Sequence, residues 1–330
     1  MKPLLSIEGL TVELATRDRT FDAVSDLTFV VAPNEVLALV GESGSGKSMT
    51  AMAIMRLLPE PLAEIVSGRI LFDGIDLARA NEATLRGIRG NRIGLIFQEP
   101  MTSLNPSIRV GPQVAEVLRL HKGLDTAVAR NRVEDLFEQV RIPDPKRRYD
   151  DFPHQMSGGM RQRVVIALAL ACDPDVLIAD EPTTALDVTT QAQILETFRD
   201  LQAAVGAATI LITHDLAVVA ETADRVAVMY AGRIVEETAT EQLFAAPRHP
   251  YTHGLLRSMP HVTEAGEVRT RERLPEIKGT VPALWSLPPG CPFAPRCPRA
   301  RVQCAAERPR LIELAPGHRA ACWYPLEAGA

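Results

Sequence analysis

The segment GESGSGKS at residues 41–48 has the residue types and the spacing of a phosphate-binding loop. Its glycines allow successive backbone N–H groups to face an anion, Lys47 can reach the β and γ oxygens of a nucleotide, and the Ser48 hydroxyl can ligate Mg²⁺. An apolar run, VLALV, precedes the loop, and the helical pattern MTAMAIMRLL follows it. This order of strand, loop and helix is the context that the motif requires.

A second glycine-containing segment, SGGMRQR, occupies residues 157–163. Ser157, Gly158 and Gly159 stand just before the apolar stretch VVIALALA, so we expect them at the N-terminus of a helix. The free N–H groups and the dipole of a helix N-terminus favour an anion. Two anion-binding segments in one chain suggest that one nucleotide is held from both sides.

Three further apolar runs end on polar residues. RIGLIF is followed by Gln98, DVLIA by Asp180 and Glu181, and ATILIT by His214. Short runs of this kind are typical of a parallel sheet that is covered on both faces, and ligands of such sheets bind at the carboxyl ends of the strands. We therefore expect these side chains to gather near the phosphates.

The chemistry of phosphoryl transfer, which is mostly positioning and charge neutralisation, assigns a role to each of these residues. Asp180 is predicted to hold the metal together with Ser48. Glu181 can orient or polarise the attacking water as a general base. His214 can stabilise charge that develops on the γ-phosphate, and Gln98 can contact both the water and Mg²⁺. The predicted catalytic residues are therefore Glu181, His214 and Gln98.

The ordered set GESGSGKS, Gln98, MSGGMRQR, LIADEP, TALD (residues 184–187) and His214 resembles the nucleotide-binding subunit of an ATP-binding cassette (ABC) transporter, from residue 4 to about 245. The resemblance implies that Ser157, Gly158 and Gly159 contact the γ-phosphate of ATP bound to a partner subunit, and that Asp187 lies at the seam between the two. The residues expected to contact the nucleotide in this subunit are Gly41, Glu42, Ser43, Gly44, Ser45, Gly46, Lys47, Ser48, Met49 and Asp180.

The family usually stacks an aromatic side chain on adenine. The nearby candidates are Phe21 and Phe29, and Phe29 fits the apolar alternation of LTFVV, which is typical of a core position. Phe21 is therefore the predicted stacking residue, and without it adenine would be held by apolar packing.

The predicted fold class is α/β: a P-loop NTPase of the ABC type with a mostly parallel sheet, an N-terminal antiparallel part, an inserted helical subdomain and an irregular extension that contains cysteines. We expect a nucleotide-binding domain over residues 1–245, with the helical subdomain at about 99–160, and an extension over 246–330. In the family the helical subdomain receives the coupling helices of the membrane subunits, with Gln98 at its hinge.

Composition narrows the function classes. The hydrophobic content of 46% can supply a large core, and the formal net charge of −5 argues against a nucleic-acid binder. No apolar run approaches the roughly 18 residues needed to cross a bilayer, and the N-terminus does not have the pattern of a secretory signal. We therefore expect a cytosolic protein that reaches the cytoplasmic face of the cell (inner) membrane only through its partners.

The residues from Pro275 onward hold 10 of the 25 prolines and four of the five cysteines, so regular helix is not expected there. Cys291, Cys297, Cys304 and Cys322 have the spacing C-x5-C-x6-C-x17-C. Disulfides are not expected in a cytosolic ATPase, and zinc usually prefers closer cysteine pairs. The pattern favours an iron–sulfur cluster, with a structural zinc ion as the alternative. The fifth cysteine, Cys172, is expected to be an inert buried thiol.

The segments PPGCPFAPRCP and HPYT resemble the C-terminal extension of oligopeptide and dipeptide importer ATPases. This resemblance implies a [4Fe-4S] cluster on the four cysteines, ATP and Mg²⁺ at the loop, and a motor that closes as a dimer on ATP and reopens on hydrolysis. It also implies a second ATPase subunit, commonly a paralogue, two transmembrane permeases and an extracytoplasmic substrate-binding protein.

Other functions remain open from the sequence. Nickel, opine and sugar importers use similar ATPases. A non-transport ABC ATPase of DNA repair or translation would show a coiled-coil insertion, tandem cassettes or a basic surface, and none is visible in the sequence. A redox protein that binds nucleotide would lose its activity outright without its cluster.

Overall fold

A computed structural model describes residues 3–97, 103–183, 188–259 and 276–327. These residues form a four-stranded sheet of order β2-β1-β4-β5 and an eight-stranded sheet of order β11-β12-β10-β9-β3-β8-β7-β6. The predicted α/β class, with a mostly parallel sheet and an N-terminal antiparallel part, is confirmed.

The four-stranded sheet is antiparallel and comes from the N-terminal part of the chain. Along β2, Leu27, Phe29 and Val31 are fully buried and alternate with more exposed residues, which is the period of a strand with one face on the core. Phe29 is thus a core residue, as its position in the alternation predicted. The strands are β1 (Leu5–Ala15), β2 (Thr20–Val31), β4 (Ala63–Phe72) and β5 (Ile75–Asp76).

The eight-stranded sheet is parallel from β6 to β9. Its parallel strands are short and almost wholly buried, because helices or the other sheet cover both faces. They are β3 (Val36–Val40), β6 (Ile93–Ile96), β7 (Val176–Asp180), β8 (Ala208–Thr213) and β9 (Arg225–Tyr230). The carboxyl ends of β3, β7 and β8 therefore meet at one edge, which positions the loop and the polar residues that follow these strands.

A helical region lies between β6 and β7. In its first long helix Val110, Val114 and Leu118 recur every four residues and are buried, so one helix face packs on the core. Asp125 caps the next helix by accepting hydrogen bonds from the N–H groups of Ala127 and Val128 at 2.9 Å. The helices of this region are α3 (Val110–Lys122), α4 (Thr126–Gln139), α5 (Pro145–Arg148) and α6 (Gly158–Leu170).

The remaining helices follow strands of the two sheets or belong to the C-terminal part of the chain. They are α1 (Lys47–Ile54), α2 (Glu82–Ile88), α7 (Val188–Val205), α8 (Leu216–Thr222), α9 (Thr240–Ala245), α10 (Pro250–Arg257) and α11 (Val302–Ala306). Within the described ranges, none of the helices has the length and apolar character needed to cross a bilayer.

The C-terminal extension is more regular than its proline content suggests. Two short strands, β11 (Ile312–Ala315) and β12 (His318–Ala320), extend the edge of the main sheet, with β12 antiparallel to β10 (Arg233–Ala239). The buried carboxylate of Glu236 fixes this junction, because it accepts hydrogen bonds from the N–H groups of Arg248 and His249 and pairs with His318 at 2.7 Å. The extension is therefore built onto the sheet.

His249 should make the stability of the protein depend on pH. This side chain caps α10, is 1% exposed, and accepts a hydrogen bond from the N–H of Tyr251 through Nδ1 at 3.0 Å. Burial lowers its pKa from 6.5 to about 4, so the folded state binds fewer protons than the unfolded state between these values. The free energy of unfolding should therefore fall as the pH drops from about 6.5 to about 4, by roughly 3 kcal/mol from this residue.

Urea unfolding at a series of pH values measures the effect. His249→Asn keeps an oxygen that can cap the helix but does not titrate, so its stability should change less over this interval than that of the wild type. His253→Asn, on the same helix, serves as the matched control and should follow the wild-type curve. Equal slopes for His249→Asn and the wild type would contradict the prediction.

Candidate nucleotide site

The glycine loop at residues 41–48 joins the end of β3 to the start of α1 in a conformation that requires glycine. Gly46 caps the helix with φ of 101°, in the left-handed region, and a Cβ there would lie 2.9 Å from the carbonyl oxygen of Ala23. A Cβ on Gly41 would collide with the carbonyl of Met229. The loop is thus wedged between β2 and β9, with the N–H groups of the helix N-terminus available to an anion.

Lys47 lies inside this loop. Its ammonium donates hydrogen bonds to the carbonyl oxygens of Gly41 at 2.8 Å and Glu42 at 3.1 Å, and its side chain is almost completely buried. Burial lowers the pKa of Lys47, and the nearby carboxylates of Glu181, Asp180 and Glu42 act in the opposite direction. The cation is therefore held among carbonyls and carboxylates, where phosphate oxygens can take over its hydrogen bonds.

Asp180 and Ser48 supply oxygen atoms that suit a magnesium ion. Asp180 ends β7 and is 7% exposed, and burial raises its pKa against the effect of its hydrogen bond with Ser48. Its Oδ1 atom is buried and has no hydrogen-bond partner among the described residues. A hydroxyl and a buried carboxylate oxygen next to the phosphate loop are the ligands that Mg²⁺ prefers. These residues fit the ion that the sequence predicts.

Glu181 and His214 come together at the ends of β7 and β8. The Nδ1 atom of His214 lies 3.3 Å from Oε1 of Glu181, whose backbone N–H donates to the carbonyl of Ile212 at 2.9 Å. Glu181 has φ of 47°, a left-handed conformation that is uncommon for glutamate and that often marks a functional residue. The structure thus brings Lys47, Asp180, Glu181 and His214 to one edge of the sheet.

Ser157, Gly158 and Gly159 lie at the N-terminus of α6, as the sequence predicts. The Ser157 hydroxyl accepts a hydrogen bond from the N–H of Met160 at 3.3 Å, and a Cβ on Gly159 would lie 2.7 Å from the methyl group of Thr190 on α7. These contacts are within α6 and with α7, whereas the glycine loop contacts β2 and β9. The two anion-binding segments are therefore built on different parts of the same chain.

Phe21 lies on β2 and packs edge-to-face against Trp285, with ring centroids 5.6 Å apart. Trp285 belongs to the C-terminal extension and is 55% exposed. Met49, which the sequence placed at the nucleotide, is partly buried and packs against the core. Gln98 and Asp187, also predicted site residues, lie outside the described residues.

The C-terminal extension supplies side chains to the loop that sequence reasoning missed. The hydroxyl of Tyr251 accepts a hydrogen bond from the N–H of Glu42 at 2.9 Å, and Arg296 donates to both carboxylate oxygens of Glu42 at 2.9 and 3.2 Å. Tyr251 belongs to HPYT, which marked a resemblance but gave no role. No sequence signal connects Arg296 to residue 42.

Four cysteines of the extension line one small cavity of about 20 Å³. The backbone N–H of Ala294 donates to the carbonyl oxygen of Cys291 at 3.0 Å, and the N–H of Cys291 donates to the carbonyl oxygen of Cys304 at 2.7 Å. Burial raises the pKa of the Cys322 thiol to about 11. Within the described ranges, no group of three or more His, Cys, Asp or Glu side chains is placed to hold a metal ion. The sulfurs thus share a cavity without meeting at one point.

The remaining cysteine, Cys172, lies apart from this cavity. It is fully buried, and burial raises the pKa of its thiol, which agrees with the inert buried thiol that the sequence predicts.

Comparison with known families finds two matches in this chain. Residues 24–184 match the family model described as ABC transporter, and residues 235–304 match the model described as oligopeptide/dipeptide transporter, C-terminal region. The second match includes HPYT and three of the four cysteines that line the cavity.

Similar proteins cover almost the whole chain. It is 51% identical to a putative peptide import ATP-binding protein of Brucella ovis, over 99% of each chain. It is 50% identical to the dipeptide transport ATP-binding protein DppD of Bacillus subtilis, over 98% of this chain and 95% of that protein, and 47% identical to DppD of Escherichia coli, over 98% and 97%.

Among solved structures, the chain resembles the dimeric ATP-binding cassette MJ0796 in a post-hydrolysis state bound to ADP and Pi. The TM-score is 0.64 at 26% sequence identity, and the match covers 72% of this chain and 98% of that one. A second dimeric structure of MJ0796, described as a bacterial ABC transporter cassette, matches equally well.

Proposed function

This chain belongs to the ATP-binding subunits of ABC transporters, in the group with the oligopeptide/dipeptide C-terminal region, and we propose that it is the ATPase motor of a peptide importer. The observation that carries the proposal is the cluster of Lys47, Asp180, Glu181 and His214 around the glycine loop. Together with the helix that begins after Ser157, it supplies the binding and charge-neutralising groups that ATP hydrolysis requires.

The motor works as a pair of subunits. In this chain the glycine loop contacts β2 and β9, whereas the Ser157–Gly159 segment contacts α7. The family resemblance implies that this segment binds the γ-phosphate on the loop of a second copy. MJ0796, whose fold this chain shares, is dimeric and binds ADP and Pi. ATP bound to the loop of one subunit would then draw the α6 N-terminus of the other onto its γ-phosphate, with Asp187 at the seam. Closure on ATP and release after hydrolysis drive the attached membrane subunits.

Each residue of the site has a proposed task. The backbone N–H groups of residues 41–46 surround the phosphates, and Lys47 binds the β and γ oxygens. Ser48, Asp180 and Gln98 hold Mg²⁺, which when bound neutralises charge on the phosphate oxygens. Glu181 accepts a proton from the attacking water and orients it, while His214 contacts the γ-phosphate from the neighbouring strand end.

Adenine binds beside Phe21 and Trp285. Phe21 is two residues from Ala23, whose carbonyl lies against Gly46 of the loop. Because Phe21 and Trp285 form one aromatic pair and the tryptophan is half-exposed, a purine ring has an aromatic surface next to the phosphate loop. The aromatic group that the family places before the loop is thereby supplied in part by the C-terminal extension.

The proposed assembly has four kinds of subunit. Residues 1–245 form the nucleotide-binding domain and residues 246–330 the extension. A second ATPase, commonly a paralogue in this family, completes the dimer, two permeases hold it at the cytoplasmic face of the membrane, and an extracytoplasmic protein captures the cargo. The relatives are named for peptide import or dipeptide transport, which supports peptides over nickel, opines or sugars as cargo.

We also propose that Cys291, Cys297, Cys304 and Cys322 bind a [4Fe-4S] cluster. The support is that all four cysteines line one cavity and that the backbone N–H of Cys291 donates to the carbonyl oxygen of Cys304 at 2.7 Å, which holds two of them together. The four sulfurs do not meet at one point in this structure, so the turns that carry them would have to shift for a cluster to bind. Such a cluster has a structural role here, because it would tie together a segment that is poor in regular structure.

Glu181→Gln tests the motor. The amide cannot accept a proton but keeps the shape of the side chain, so turnover should fall by about 10²-fold or more while the Kd for MgATP stays within about threefold of the wild type. Phosphate release and equilibrium nucleotide binding measure these quantities. Glu196→Gln, the same change on the exposed face of α7, is the control and should hydrolyse ATP normally. Unchanged turnover in Glu181→Gln would remove this residue from the base role.

The cargo is tested with the intact complex. The chain is purified with its permeases and capture protein, the complex is placed in lipid nanodiscs, and ATP hydrolysis is measured with dipeptides, nickel, opines or sugars. A dipeptide-loaded capture protein should stimulate hydrolysis severalfold, and a complex that carries Lys47→Ala should show none. Stimulation by another cargo alone, or isolation of the chain without permeases, would contradict peptide import.

The cysteine proposal predicts a brown protein after anaerobic purification. Absorbance near about 400 nm, with about four iron and four sulfide per chain, is expected, and Cys322→Ser should lose it. Cys172→Ser, which removes a fully buried thiol elsewhere, should keep the absorbance. Stoichiometric zinc without iron would establish the alternative that the cysteines hold a structural zinc ion.

A further inference from the structure

The second residue of the glycine loop, Glu42, is held from the C-terminal extension. Its backbone N–H donates to the Tyr251 hydroxyl, and its carboxylate accepts two hydrogen bonds from Nη1 of Arg296. Tyr251 is fully buried, Arg296 is 5% exposed and the Glu42 side chain is 29% exposed. Both the main chain and the side chain of this loop residue are therefore fixed by residues more than 200 positions away.

Arg296 is itself rigidly placed. Its Nε donates to the carbonyl of Lys278 at 3.1 Å and its Nη2 to that of Ile277 at 3.3 Å, while Nη1 also reaches the Tyr230 hydroxyl at 3.3 Å. Its guanidinium lies 5.9 Å from the ring centroid of Phe293. An arginine with hydrogen bonds on every side keeps its fork in one orientation, which lysine cannot do.

The charge of Glu42 matters to the nucleotide. Glu42 is next to the Lys47 ammonium, which donates a hydrogen bond to the Glu42 backbone carbonyl at 3.1 Å, and Lys47 is the side chain expected at the β and γ phosphates. The Glu42 carboxylate acts to raise the pKa of Lys47. A carboxylate whose field reaches that ammonium also repels the phosphates that the ammonium binds. Arg296 is the cation that compensates this charge, and its 2.9 Å contact is short enough to do so.

We infer that Arg296 is a positioning residue for the nucleotide: by neutralising and orienting Glu42 it makes the C-terminal extension part of the ATP site. The inference rests on the proposed function, because it assumes MgATP at the glycine loop. It goes beyond that function in giving the extension a task in nucleotide binding.

The same contact joins the loop to the cysteine-lined cavity. Arg296 ends a 3₁₀ turn, Ala294–Arg296, that directly precedes Cys297, and Phe293 before this turn packs against the rings of Tyr230 and Tyr251. A change in the position of Cys297 therefore moves the guanidinium that holds Glu42. Through Arg296, the turn that precedes Cys297 therefore acts on the glycine loop.

The test measures the Kd for MgATP on the full chain by calorimetry, in Arg296→Met, Glu42→Gln and the double variant. Arg296→Met should raise the Kd about tenfold, because an unpaired carboxylate is left beside the phosphates. Glu42→Gln removes that carboxylate, so the double variant should return to within about threefold of the wild type. Arg301→Met, the same loss of charge on a residue that packs on Tyr324, should leave the Kd unchanged.

A purely structural role for Arg296 predicts no rescue, because Glu42→Gln cannot replace the lost packing. An unrescued increase in the Kd, or no increase at all, would overturn the inference. If Arg296→Met does not fold, Arg296→Lys keeps the charge without the fork and should bind MgATP more weakly than the wild type, again with rescue by Glu42→Gln. If Arg296→Lys binds MgATP as tightly as the wild type, the inference is overturned.

Cys297→Ser tests the link to the cysteine turn. Its Kd should rise in the wild-type background and should not change further in the Arg296→Met, Glu42→Gln background, where the route through Arg296 is already removed. An equal rise in both backgrounds would overturn this link. Failure of the wild-type chain itself to bind MgATP would instead refute the proposed function, so the two failures are distinguishable.

Discussion

The architecture of the site depends on burying one cation, the ammonium of Lys47, at the edge of a parallel sheet. Burial lowers the pKa of this ammonium, and the carboxylates of Glu181 and Asp180 act in the opposite direction. These carboxylates lie at and just after the end of β7, which is separated by β8 alone from β3, the strand that leads into the loop. The parallel sheet, the positive φ values of the loop and the left-handed Glu181 all serve to bring unlike charges together in a place where phosphates can join them.

The proposed pairing of two subunits follows from where the two phosphate-binding segments lie. The glycine loop and the Ser157–Gly159 segment each stand at a helix N-terminus, where N–H groups can bind an anion, but the loop packs against β2 and β9 and the segment packs against α7. In the proposed dimer the triphosphate is shared between two copies, so that its γ-phosphate joins them until hydrolysis removes it. The difference in binding energy between ATP and its products would then move the subunits.

Local sequence patterns were sufficient to predict the glycine loop, the helix after Ser157 and the gathering of Asp180, Glu181 and His214, because each follows from a short motif or from the rule that parallel strands end together. The α/β class and the core position of Phe29 followed from periodicity in the same way. The contacts of Glu42 were not predictable, since Arg296 lies 254 residues away and nothing in either neighbourhood indicates the other. The strands β11 and β12 were also missed, because they are stabilised by an existing sheet edge and by Glu236, not by their own sequence.

The extension is attached to the main sheet at β10. Two adjacent buried carboxylates of β10 carry it: Glu236 binds backbone N–H groups and His318, and Glu237 pairs with Arg225 of the cassette and Arg319 of β12. A buried carboxylate without its partners is costly, so the extension cannot leave the sheet without a large loss of stability. Because the extension is fixed at β10, Tyr251 and Arg296 keep defined positions where they contact the glycine loop. The stability of the junction at β10 is what allows distant residues to position the nucleotide.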